Sequence, residues 1–152
     1  MNNPSKAAYH EAGHAIMAWN LKLPLRIVKL HSDLEGTASL ACPPSSIEAH
    51  LRYVLAGPVA EALSIGLSLD NPLAPVTSDL ETVVKLAMLL CRGDRNAVLP
   101  FLKVEQHEVK VFFDSPEIWC IVKTLARELE LHREFTGIQI QAIIDSSIEP
   151  SL

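Results

Sequence analysis

The chain has 152 residues, 49% of them apolar, and a slightly positive mean hydropathy, so it is long enough to bury one core and disorder is not expected. Aromatic residues make up only 5%, which leaves Leu, Ile, Val and Ala to build that core. The net charge is −5 with basic residues scattered singly, so the basic stripe that a nucleic acid or an anionic membrane requires is missing.

In chain order, residues 4 to 21 read as a helix. Ala7, Ala8, Ala12, Ala15, Ile16 and Trp19 keep helical spacing, Pro4 suits a first turn, and Pro24 closes the segment. Residues 26 to 31 alternate roughly as a strand, 32 to 36 are turn-like, and Thr37 to Ala41 forms a returning strand. Ser45 or Ser46 can cap a second helix to about Ser64, with Gly57-Pro58 as a kink candidate near its middle. A loop rich in Pro, Asn and Ser spans 66 to 76. Ser78-Asp79-Leu80-Glu81 then opens a third helix with a capping-box pattern. Residues 93 to 113 resist assignment, because Pro100 and the stretch from Val109 to Phe113 fit no single period. A further helix begins near Asp114 with Ile118, Ile121, Val122, Leu125 and Leu129 as its buried stripe. Thr136-Gly137-Ile138-Gln139 resembles a last capping box before a short C-terminal helix.

These elements predict a mainly α fold with a small β-hairpin or sheet, organised as one domain over residues 1–152. No internal repeat or dividing linker is visible. The residues Asn2-Asn3-Pro4-Ser5 carry no secretory pattern, and no run approaches the roughly 20 apolar residues of a membrane span. Cys42, Cys91 and Cys120 are odd in number and form no Cys-x-x-Cys, so a disulfide framework is not expected and a cytoplasmic setting fits best.

The segment His10-Glu11-Ala12-Gly13-His14 carries the chemistry. Helix positions four apart share a face, so His10 and His14 can aim two imidazoles at one metal ion. Glu11, about 100° round the helix, can reach a water on that metal without becoming a ligand. Zinc brings that water's pKa down toward ~7, where a carboxylate can take its proton. The bland alternative is two histidines and a glutamate on a solvated helix face. Gly13 speaks against it, because a mid-helix glycine costs about 0.5–1 kcal/mol unless close packing requires it. A catalytic zinc needs a third protein ligand. Glu61, Asp70, Asp79 and Glu81 are the candidate carboxylates. Asp79 opens a helix, where the dipole alone would also favour it. Glu61 is either a buried acceptor that holds an imidazole or an exposed helix residue. His31, His50, His107 and His132 share no ligand spacing, and His31 ranks first among them because it closes a strand near the site.

Ala8-Tyr9-His10-Glu11-Ala12-Gly13-His14-Ala15-Ile16 closely resembles the zinc-binding helix of the FtsH-type proteases. Leu55-Ala56-Gly57-Pro58-Val59-Ala60-Glu61-Ala62-Leu63 resembles that family's Leu-Ala-Gly-Arg-x-Ala-Glu-Glu, and Ser78-Asp79-Leu80-Glu81 its Asn-Asp-Leu motif. A weaker match covers Leu129 to Ile144. The resemblance implies a helical, zincin-like metallopeptidase domain with one Zn2+ held by His10, His14 and Asp79, and with Glu11 as the catalytic base. It further implies that the small sheet, here residues 26 to 41, aligns an extended peptide by strand addition. The sequence departs from the family at Pro58, at Ala62 and after Asp79, and it carries no Gly-x-x-x-x-Gly-Lys loop. The expected activity is therefore ATP-independent hydrolysis of peptide bonds in flexible or unfolded polypeptides. The expected partners are a peptide or unfolded protein substrate, with a homo-oligomer or an ATPase acting in trans as further candidates, and neither nucleic acid nor a membrane span is expected. The alternative is a zinc-binding module that regulates or binds other proteins without catalysis.

Overall fold

The computed structural model describes residues 3–67 and 78–148. Helix α1 (Lys6–Asn20) starts where the Ser5 hydroxyl accepts a hydrogen bond from the Ala8 amide, so Pro4 lies before the cap and outside the first turn. It is buried almost all round: every residue from Glu11 to Ala18 is inside, which makes α1 the central element. Its alanines let neighbours come close, and Gly13 takes this furthest. A Cβ there would stand 2.5 Å from the Ala56 carbonyl oxygen and 2.6 Å from the Ala60 Cβ, so the backbone of the next helix occupies the space a side chain would fill.

That neighbour is α2 (Ile47–Ser64), capped by Ser46 and running through Gly57-Pro58 as one helix. Between α1 and α2 lie strands β1 (Leu25–Leu30) and β2 (Gly36–Leu40), which pair antiparallel as the sequence suggests. A third strand, β3 (Glu134–Thr136), pairs antiparallel with the other side of β1, giving the order β2-β1-β3. Val28 and Leu30 are buried in the core while Lys29 between them faces out, the period of two that a half-buried strand requires, and Arg26 is exposed at the register shift between Leu25 and Ile27.

Helix α3 (Ser78–Leu90) packs on α2. Residues 93 to 113 resolve into α4 (Arg95–Asp114), a helix that holds Pro100 within it and buries Val98, Leu102, Val109 and Phe113. Helix α5 (Pro116–His132) buries the expected stripe of Ile121, Val122, Leu125 and Leu129, with Ile118 only partly covered, and ends at Arg133 in the left-handed conformation. Thr136 and Gln139 form the reciprocal capping box before α6 (Gly137–Ile148): the Thr136 amide donates to Gln139 Oε1 at 2.9 Å and the Gln139 amide donates to Thr136 Oγ1 at 3.3 Å. The fold is thus mainly helical with a small three-stranded antiparallel sheet, and its buried apolar residues join into one core. Among the described residues no helix is long and apolar enough to cross a membrane.

Candidate metal centre

One turn of α1 separates His10 from His14, and both rings lean toward the first turn of α3, where Asp79 waits. His10 Nε2 lies 2.8 Å and His14 Nε2 3.3 Å from Asp79 Oδ2. One donor atom from each of the three side chains falls within 4.8 Å of the other two. Among the described residues this is the one group of three His, Cys, Asp or Glu side chains close enough to hold a metal ion. Of the other carboxylates weighed from sequence, Glu81 is exposed and outside the group, and Asp70 lies outside the described residues.

Helix α2 fixes the two rings from behind. His14 Nδ1 is 2.8 Å from the backbone carbonyl of Tyr53, which can only accept, so Nδ1 carries the proton and donates. Nε2 is the nitrogen left to face Asp79. His10 Nδ1 donates to Glu61 Oε2 at 2.9 Å, which settles the two sequence readings of Glu61 in favour of an acceptor that orients an imidazole. The Tyr53 contact had no sequence signal, because a backbone carbonyl can come from any residue type. Its hydroxyl also donates to the Ala38 carbonyl at 3.1 Å and so ties α2 to β2 beside the site.

The charges of the cluster follow from these contacts. Burial pulls the His10 imidazole down, but its hydrogen bonds to Asp79 and Glu61 outweigh that and raise it to about 9. Burial pushes the Asp79 carboxyl up, yet the two histidines win and hold it well below the usual carboxylate range. Glu11 is different. Burial raises its carboxyl above the ordinary value, and the imidazoles of His14 and His10 only partly oppose the rise. Only 4% of Glu11 is exposed, and its Oε2 is buried without any hydrogen-bond partner. An orphaned carboxylate oxygen is expensive in a protein interior. Strand β2 presses it into place from the other side, since a Cβ on Gly36 would stand 2.6 Å from Glu11 Cγ.

A cleft of about 590 Å³ opens over this cluster between α1 and β2, with His10, Glu11, His14 and Asp79 on one wall and Gly36, Thr37 and Ala38 on the other. His31 lies on its rim and shares a 3.3 Å hydrogen bond with the Thr37 hydroxyl, whereas His50, His107 and His132 do not line it. Two imidazole nitrogens, each with an acceptor behind its ring, and one carboxylate oxygen make a donor set that could hold a metal ion. The orphaned Glu11 oxygen beside them fits the same assignment, since it lacks the polar neighbour that a bound group would bring. Compared with protein-family models and with curated proteins, the chain matches none of them.

Proposed function

We propose that the chain is a zinc-dependent metalloendopeptidase that cleaves flexible or unfolded polypeptides without ATP. The observation that carries this reading is the buried, unpartnered Glu11 carboxylate beside the donor group His10, His14 and Asp79, opening onto the cleft along β2. A purely structural metal site closes its coordination and has no use for a fourth polar group held free. The sequence resemblance to the FtsH-type peptidases supports the same reading and supplies the zincin-like assignment of the fold.

Zinc, when bound, supplies a Lewis acid that polarises the scissile carbonyl and acidifies water toward about pKa 7. The protein's own groups do the rest. Glu11 takes the proton from the attacking water at its free carboxylate oxygen while the water oxygen bonds to the carbonyl carbon. It then gives that proton to the leaving amine as the C–N bond breaks. Burial raises the Glu11 carboxyl above its ordinary value, which makes its carboxylate a stronger base toward that water. His10 and His14 would offer Nε2 to the metal, and Glu61 and the Tyr53 carbonyl keep their rings aimed. Among the described residues β2 pairs with β1 and lies at the edge of the sheet, where an extended peptide could add beside Gly36 and Thr37.

Glu11→Gln tests the mechanism. The variant keeps the shape and should hold zinc as the wild type does, while cleavage of an unfolded substrate such as labelled casein falls by about 10²–10⁴-fold. Cleavage at the wild-type rate sinks the catalytic role and leaves a zinc-binding module.

A further inference from the structure

Helix α2 contributes no ligand to the donor group, yet one of its faces touches both of its imidazoles. Tyr53, Gly57 and Glu61 are spaced four apart and so lie along one side of the helix. The first holds His14 Nδ1 through its carbonyl and the last holds His10 Nδ1 through its carboxylate. Gly57, between them, faces the rings themselves. A Cβ on Gly57 would run into His14 Nε2 and would stand 2.6 Å from His14 Cε1 and 2.7 Å from His10 Nε2. Those two Nε2 atoms are the ones turned toward Asp79.

Gly57 therefore differs from Gly13, the other close approach between α1 and α2. At Gly13 a side chain would meet the Ala56 backbone and the Ala60 methyl, which is ordinary helix packing. At Gly57 the three nearest atoms it would meet all belong to imidazoles, and two of them are the nitrogens that face the third ligand. We infer that Gly57 is a positioning residue of the metal centre: its missing side chain keeps open the space in front of both Nε2 atoms, and any side chain there occupies the metal's seat. The inference rests on the metal reading above and extends it to a residue with no chemistry of its own. It also explains the glycine of Gly57-Pro58, through which α2 continues, by what stands opposite it.

The test is zinc binding to the full chain, followed by competition with a chromophoric chelator, for the wild type and for Gly57→Ala. The expected result is a helical Gly57→Ala chain whose zinc affinity is lower by about a hundredfold, and whose melting temperature no longer rises with added zinc. Equal zinc affinity in the two proteins overturns the inference while leaving the metal reading intact. A wild type that takes up no zinc overturns both. Should Gly57→Ala fail to fold, His10→Ala/His14→Ala/Gly57→Ala removes both rings that the new methyl meets. Recovery of a cooperative melt in the triple variant supports the inference, and a triple variant that stays unfolded while His10→Ala/His14→Ala folds overturns it, because Gly57 is then a general packing residue.

Discussion

Helix α1 is received in two ways by its two main neighbours. Against α5 it meets an apolar stripe of Ile121, Val122, Leu125 and Leu129, with Tyr9 stacked on Trp119 at a centroid distance of 5.7 Å. Against α2 it places Gly13 on the Ala56 backbone, donates from His14 to the Tyr53 carbonyl, and donates from His10 to Glu61. The first contact is specified by volume and hydrophobicity, which many side chains can satisfy. The second is specified atom by atom, and beside it, under β2, the Glu11 oxygen lies buried without a partner. An interface built for stability alone would not hold that oxygen in place, so the contrast separates what keeps the chain folded from what the site is for.

The comparison breaks most visibly at the apolar side. Leu125 is fully buried, and Leu125→Ala should lower stability by about 2–5 kcal/mol through lost burial and the cavity left behind. Below its melting temperature the variant should still bind zinc as the wild type does, and a matched loss of both would show that the two interfaces are not separable. On the other side, Glu61→Gln keeps the shape but weakens the acceptor behind His10. Zinc affinity measured by chelator competition should fall by about 10- to 100-fold. An unchanged affinity would mean that Glu61 does not orient the ring.

The smallest effect is a proton count. In the metal-free chain His10 sits at about 9, above its ordinary 6.5, so its contribution to stability is complete below pH 6.5 and is lost as the pH rises through about 9. Asp79 runs the other way, its contribution being present above pH 3.8 and lost as the pH falls through its depressed value. Zinc must displace the His10 proton, so binding at pH 7.5 should release about one proton, read by calorimetry in buffers of different ionisation enthalpy. Uptake with no proton released at that pH contradicts the His10–Asp79 pairing.

Much of this was legible in the residues, and the exceptions have physical reasons. The helix carrying His10, Glu11 and His14, the hairpin and the Thr136–Gln139 capping box all follow from local spacing and end chemistry, which act within a few residues. Helix α4 was hidden because its apolar residues do not keep to one face: Leu99, Val104 and Val111 are exposed while Val98, Leu102 and Val109 are buried, and Pro100 interrupts the pattern. Strand β3 is three residues long and owes its existence to β1, more than a hundred positions earlier, so no alternation announces it. Among the carboxylates, spacing alone left four open. Bringing Asp79 to both imidazoles takes the packing of α3 on α2, and that is a tertiary fact, as is the choice of Glu61 as the acceptor behind His10.

The most direct measurement is the metal content of the chain by elemental mass spectrometry, on protein purified without chelators and without a metal-affinity tag. About one zinc per chain, lost in His14→Ala, is the result that a centre of His10, His14 and Asp79 predicts. A chain that carries no zinc, and takes up none on reconstitution, would contradict it and leave the cluster as a hydrogen-bonded core of a protein-interaction domain.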